Sequence, residues 1–512
     1  METETVISKD KYIKYLLGLI WFVCIVSTLF YILKFLYVSI SRIDYPFALE
    51  WMEGASLAQV QRVLLGKPLY VQPSIYYIPM IYPPLYFYLS AFFAKIAGLN
   101  FFSLRLVSLI SSLGTMLVVG RIVYLQTKNL LSIILAVGLF AGTFYLSGGW
   151  FDIARVDMLA IFLFLISLDL VCFKKPLYFL FSGISAALAC LTKQTFIIMV
   201  LFLSVGLILN APKISKYFFL SFVVASFFSF LFFVKLFGEW YAFYVFALPG
   251  RHVLFQGVDI FFILLKSFAL DSIIYAFPMP VFFVMLYYFI LLHKKTLHFN
   301  NFPIFLKAPE LFWFIIIIGS LFVSWSGFFN PGGYKNVLLP FYTLLCVFSG
   351  FGLHKILSLM KKKLYINMLV LVSLVFQYYL LDYSAANEIP TQEDLVAGFT
   401  LVNNLRNQKG NVFIPFHPEL ALMAGKPVFA SWVALYELEG GYTGGDKDEW
   451  ERVRLQIVQH IKNKKFDLII LDRELWGHPE KYYSPCKLQL ENTNAFYPVT
   501  GFRTRPISCF VE

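Results

Sequence analysis

The sequence predicts a polytopic α-helical membrane protein of about eleven transmembrane helices. It adds interfacial helices in the first outer loop and a small C-terminal α/β domain. Three observations predict this class. Of 512 residues, 59% are hydrophobic and 14% charged, with a mean hydropathy of +0.72. A soluble domain carries about 25% charged and 45–50% apolar residues. Apolar runs recur at close to the ~17–25 residues that a bilayer requires. Every second loop between those runs is basic, the signature of cytoplasmic loops. The composition excludes a soluble enzyme, a disordered chain and a disulfide-rich secreted module. Transmembrane barrels are excluded as well, because their strands alternate apolar and polar residues. The net charge of +12 needs no nucleic acid to explain it.

The expected spans are 14–37, 103–120, 130–147, 157–173, 177–192, 195–210, 217–236, 272–292, 310–328, 337–356 and 364–382. Basic residues mark the inner side: Lys9, Lys11 and Lys14, Arg121 and Lys128, Lys174 and Lys175, Lys213 and Lys216. Lys294, Lys295 and Lys307 continue the series, and Lys361, Lys362 and Lys363 end it. The N-terminus is then cytoplasmic, and an odd number of spans places the C-terminal segment outside. Residues 75–97 hold Pro83-Pro84 and five Tyr and read as an interfacial helix, as does 259–271 with Lys266 and Asp271. Counting either as a span would invert every later loop. No cleavable signal peptide is expected, because the first apolar run is too long and lacks a small-residue cleavage site.

The domain boundary is expected near residue 390, giving 1–389 and 390–512. Beyond it, Thr391 and Asp394 have the spacing of a helix N-cap, with Gly410 as a stop. NVFIP and FDLIILD read as strands, and Trp450, Val453, Ile457 and Ile461 mark one face of a second helix. Strands alternating with helices predict an α/β unit. Cys24, Cys172, Cys190 and Cys346 fall in spans, while Cys486 and Cys509 fall outside, where an oxidising compartment allows pairing.

Function in a membrane protein is read from polar residues that lipid rejects. Glu50 and Glu53 lie three apart in the first outer loop, on one helical face, with Trp51 between them. Asp152, Arg155 and Asp157 occupy the second outer loop, and Asp157 enters the next span. Either cluster alone reads as a solvated pair or a structural salt bridge. Two acidic clusters facing one compartment suit a shared site, where carboxylates act as general base, as ligands of a divalent metal, or both. Arg105, Lys193, Gln194, Arg251, Lys335 and Asn336 fall on the same side and suit a phosphate-bearing lipid substrate. His252 reads as structural, and Asp169 has no assigned role. There is no GxxxxGK[ST], GxGxxG, HExxH, GxSxG or CxxC motif.

LEWMEGASLAQVQRVLLGKPLY, IYPPLYFYLSAFFAKIAG and FFSLRLVSLISSLG together resemble the N-terminal module of the GT-C membrane glycosyltransferases. The nearest branch is the glycosyltransferase family 39 type, which includes protein O-mannosyltransferases and the lipid A aminoarabinose transferase. FDIARVD, LTKQT and GGYKNVLLP resemble motifs of bacterial relatives, and the resemblance covers roughly 40–382. Better-known members carry an Asp-Glu type pair in the first loop, whereas here Trp51 and Met52 separate Glu50 from Glu53. Glu50 matches better by position, Glu53 lies nearer the helix body, and either can be the base.

The resemblance implies a bacterial inner-membrane enzyme with a polyprenyl-phosphate sugar donor. Its acceptor, a lipid, glycan or protein, would lie on the outer face, and the anomeric carbon would invert. Asp152 and Asp157 would support the acceptor or a metal. Tyr82 and Arg155 join the expected substrate-binding residues. A transporter or lipid-linked-sugar flippase is the alternative, but it would call for repeats and midplane charges. A membrane scaffold presenting the outer domain would leave the two acidic loops unexplained.

Overall fold

The computed structural model describes residues 2–252, 261–285, 309–330, 332–359, 364–441, 444–488, 490 and 492–512. Its apolar runs are helical, the form in which a lipid-embedded backbone satisfies its own amides and carbonyls. In chain order these are α1 (Glu2–Arg42), α2 (Glu53–Leu64), α3 (Leu85–Ala97), α4 (Phe101–Thr127) and α5 (Leu130–Gly142). Then come α6 (Asp157–Val171), α7 (Pro176–Thr192), α8 (Ile197–Asn210) and α9 (Pro212–Phe237). Beyond a wide-turned helix at Ile263–Tyr275 lie α10 (Pro309–Phe328), α11 (Leu339–Leu359) and α12 (Leu364–Leu380). Local sequence sets several of the boundaries. Asn100 and Asn129 cap α4 and α5 by accepting the amides of Ser103 and Ser132. Pro176 and Pro212 open α7 and α9, where a missing N–H costs nothing.

Among the described residues, five helices are long and apolar enough to cross a membrane, or up to seven if each of two bent pairs is one span. The chain is therefore a multi-pass membrane protein. α3 and α5, at 13 residues each, reach about 20 Å at 1.5 Å per residue, short of a ~30 Å hydrocarbon core. Residues 75–97 supply only α3, which starts after Pro84. Lys266 and Asp271 are exposed on the wide-turned helix. The end of the 272–292 run lies outside the described residues, as do 259–260, Lys294, Lys295, Lys307 and Lys361 to Lys363. In the bundle, α6 packs on α4 and α7, α7 on α9, α5 on α1, α4 and α11, and α10 on α8.

Past α12 the chain forms α13 (Gln392–Asn407), β1 (Val412–Phe413), α14 (Pro418–Met423), α15 (Trp432–Glu439) and α16 (Lys447–Lys462). β2 (Leu468–Leu471), β3 (Ser484–Pro485) and β4 (Ser508–Val511) follow. The strand order is β1-β2-β4-β3, with β1 parallel to β2 and the other pairs antiparallel. Thr391 and Asp394 form a reciprocal capping box at the start of α13. Val453, Ile457 and Ile461 are the buried face of α16. Cys486 and Cys509 are joined by a disulfide.

One buried ion pair fixes the end of α1 to the 149–152 loop and to the segment that follows α12. Arg42, at the end of α1, donates through Nε (2.9 Å) and Nη2 (2.5 Å) to the Asp152 carboxylate. Its remaining donors reach the carbonyls of Glu388 (2.9 Å) and Gly149 (2.7 Å). A fully buried guanidinium needs this many acceptors, because each unpaired donor keeps its desolvation penalty. Arg42→Gln strands Asp152 without its cation. Thermal unfolding in detergent should show a loss of about 3–5 kcal/mol; a wild-type midpoint would contradict the role assigned to this pair.

Candidate active site

The site grows from the loop between α1 and α2. Glu53 is the first residue of α2, where the helix dipole favours an anion. Arg105, one turn into α4, donates to Glu53 Oε2 through Nη2 (2.8 Å) and to Oε1 through Nε (3.1 Å). Both residues are fully buried. The backbone amides of Leu49 (2.6 Å) and Ala154 (2.5 Å) also donate to this carboxylate. Arg105 and these hydrogen bonds outweigh burial and hold the carboxyl below the usual range. The other donors of Arg105 bind the carbonyls of Arg42, Ile43, Tyr45 and Phe47. Arg105 thereby staples the whole loop, and none of its three nitrogens is left for a substrate. Both Glu53 oxygens are likewise occupied in this arrangement.

Glu50 sits three residues earlier in a different environment. It is fully buried, and one oxygen accepts the Met52 amide at 3.1 Å. The other, Oε1, has no hydrogen-bond partner. Burial pushes its carboxyl up to about 8; Arg155 partly opposes this, while Glu53 and Asp157 add to it. A buried unpaired oxygen is costly in a finished fold, and such groups cluster at functional sites.

Arg155 is the counterpart. It is 4% exposed, and Nη2 donates to Tyr82 Oη at 2.8 Å. Its Nε and Nη1 are buried without a hydrogen-bond partner. The guanidinium also lies 5.1 Å from the Tyr82 ring centre. Two idle N–H groups in a rigid fork match the geometry of a phosphate. Gln194 is fixed by donating to the Ile81 carbonyl at 2.8 Å, one residue from Tyr82. Its Oε1 is buried and has no partner.

Asp157 gathers three further residues. Lys193 (2.6 Å) and Asn336 (3.0 Å) donate to Oδ1, and the Trp150 indole N–H (3.0 Å) donates to Oδ2. This cluster joins the heads of α6 and α11 to the end of α7. Asp152 points elsewhere, into the Arg42 pair. Lys335 is exposed, 5.2 Å from the Tyr145 ring centre. Arg251 is half-exposed and pairs with Asp446 at the cap of α16. No contact joins Lys335 or Arg251 to the Glu50–Arg155 pair. His252 lies 3.0 Å from Glu437, and Asp169 pairs with Arg121 at 3.1 Å near the far ends of α6 and α4. Among the described residues no group of three or more His, Cys, Asp or Glu is placed to hold a metal ion.

Three contributors carry no sequence signal. Arg42, which no motif singles out, anchors Asp152. Thr500 and Gly501 pack on Glu50 from the other end of the sequence. Gly54 has a further constraint. A Cβ there would lie 1.9 Å from Glu419 Oε2, so any side chain at residue 54 would have to displace the Glu419 carboxylate where α14 packs on α2.

The two glutamates should separate by experiment. Glu53→Gln removes the anion that Arg105 needs, costing about 3–5 kcal/mol of stability. Glu50→Gln breaks no hydrogen-bonded ion pair and should unfold close to wild type. The anionic Glu53 carboxylate stabilises the fold above the unfolded-state pKa. That contribution fades as pH falls through its lowered folded-state value. Acid unfolding of Glu53→Gln should therefore show a shallower pH dependence than wild type.

Residues 82–249 match the family model described as dolichyl-phosphate-mannose-protein mannosyltransferase. No curated protein matches the chain by sequence. Among solved structures, the chain is similar to ArnT from Cupriavidus metallidurans bound to undecaprenyl phosphate, at 10% identity and a TM-score of 0.59, covering 94% of this chain and 97% of that one. It is also similar to the oligosaccharyltransferase AglB from Archaeoglobus fulgidus in complex with an inhibitory peptide and a dolichol-phosphate. There the identity is 12% and the TM-score 0.53, with coverage of 92% and 73%. These likenesses show that the chain shares the fold of ArnT and AglB.

Proposed function

We propose that the chain is an integral membrane glycosyltransferase. It moves a sugar from a polyprenyl-phosphate-linked donor to an acceptor hydroxyl at the outer face of the membrane. The observation that carries this reading is the pair of idle groups in one loop cluster: Glu50 Oε1 as acceptor, and Arg155 Nε and Nη1 as donors. Each is buried, and the two side chains interact electrostatically. The family match over 82–249 and the fold shared with a structure that holds undecaprenyl phosphate support the donor class.

In this mechanism Glu50 takes the acceptor hydroxyl's proton as that oxygen attacks C1 of the sugar. The bond from C1 to the phosphate oxygen breaks, and the configuration inverts. The polyprenyl phosphate leaves with the extra negative charge, which Arg155 stabilises. Tyr82 orients Arg155, Gln194 offers an acceptor to the donor, and Asp157 holds Lys193 and Asn336 beside them. Arg105 and Glu53 keep the loop in shape. Lys335 and Arg251 stand at the approach to the site.

The topology belongs to the same proposal: eleven spans, a cytoplasmic N-terminus and an outer C-terminal domain over 390–512, in a bacterial inner membrane. Arg121, Lys128, Lys174, Lys175, Lys213 and Lys216 lie at the helix ends opposite the candidate site, which supports an outer-facing site.

Purified Glu50→Gln should lose about 10²–10⁴-fold in transfer rate while staying folded. Because a base must be ionised and Glu50 is raised to about 8, wild-type kcat/KM should climb with pH and level off above that value. Arg155→Met should weaken binding of undecaprenyl phosphate, read by direct titration. Full activity of Glu50→Gln, or unchanged lipid-phosphate affinity of Arg155→Met, would overturn the corresponding role.

A further inference from the structure

Glu50 has no solvent exposure, and the residues that close it off come from the far end of the chain. Thr500 pairs with Glu50 as an isolated parallel bridge, its amide donating to the Leu49 carbonyl at 3.2 Å. The Thr500 hydroxyl donates to the Gly148 carbonyl and lies 3.4 Å from Tyr334 Oη. Thr500 therefore joins the first-loop acid to the loop that carries Asp152, Arg155 and Asp157. Gly501 follows at φ +75°, and a Cβ there would lie 2.9 Å from both Cγ and Oε1 of Glu50. Phe502 meets Trp51 edge-on at 6.0 Å and lies under the Arg473 guanidinium at 5.1 Å. Residues 500–502 thus lie directly over Glu50 Oε1, which has no hydrogen-bond partner.

We propose that Thr500 and Gly501 are positioning residues for Glu50: the segment 499–502 roofs the site and fixes the direction of the Glu50 carboxylate, so the base works only while this segment is docked. The inference rests on Glu50 being the base, and it gives the C-terminal part of the chain a role in the reaction. The hydroxyl of Thr500 sets the height of the roof through Gly148. The missing side chain of Gly501 leaves room for the Glu50 carboxyl and keeps water out. The charged groups acting on Glu50 are Arg155, Glu53 and Asp157; the roof adds burial and no charge.

The test compares Thr500→Val, Gly501→Ala and Glu50→Gln with wild type in the full-length protein. Thr500→Val keeps the side-chain shape and the amide bond to Leu49 but loses the bond to Gly148. Gly501→Ala must either move Glu50 or lift the roof. Both should lower kcat by roughly tenfold or more, as small misplacements of a reacting group do. Both should also move the pH limb from about 8 down toward the ordinary carboxylate range, because water then reaches Glu50. Undecaprenyl phosphate, titrated as the probe, should bind both variants as it binds wild type. A wild-type pH limb and kcat in both variants, with Glu50→Gln inactive, would overturn the roof and leave the base standing. A lowered unfolding midpoint with the limb unmoved would reduce Thr500 to a structural contact and overturn the proposal as well. Full activity in Glu50→Gln would overturn both readings.

Discussion

The buried pair between Glu53 and Arg105 is the constraint on which the rest of the site depends. Two charges taken out of water are tolerated only when their remaining lone pairs and N–H groups are filled. Arg105 meets that condition by gathering four carbonyls from residues 42–47, and Glu53 by accepting the amides of Leu49 and Ala154. Satisfying one ion pair therefore fixes the first outer loop, the head of α4 and the start of the 154–157 turn relative to one another. Arg42 and Asp152 repeat the device a few residues away and extend it to the carbonyls of Gly149 and Glu388.

Against that saturated frame, the unsaturated groups acquire meaning. Glu50, Arg155 and Gln194 are each held by one hydrogen bond and each keep a buried polar atom idle. The pairs Glu53–Arg105 and Arg42–Asp152 beside them leave no such atom idle. Acidic residues that look alike in sequence have therefore separated into three environments. Glu53 and Asp152 face guanidinium groups, Asp157 an ammonium, an amide and an indole, and Glu50 a buried site roofed by Gly501, where one oxygen has no partner. Environment, not residue type, sets which of them can exchange a proton near neutral pH.

Much of this was legible in the sequence, for identifiable reasons. Apolar runs mark helices locally, and Thr391 with Asp394 marks the start of α13. The grouping of Asp157 with Lys193 and Asn336 follows from charges that lipid rejects, which share one end of the bundle. What sequence could not show was which cation answers which anion. Arg105 reads as a phosphate contact until its partner, 52 residues away, is known. Arg42 pairs across 110 residues and Thr500 across 352, and neither separation leaves a periodic trace. Single-face patterns reveal burial; they do not reveal the partner.

The central claim is that Glu50, alone among these carboxyls, is buried, unpaired and near its titration point at neutral pH. Infrared difference spectroscopy measures this directly, because a protonated carboxylic acid in a dry site has a carbonyl stretch that an ionised one lacks. Stepping the purified protein from acid to alkaline pH should bleach such a band around 8, and the band should be absent in Glu50→Gln and retained in Asp152→Asn. A band that titrates in the ordinary carboxylate range, or one that survives in Glu50→Gln, would contradict the account.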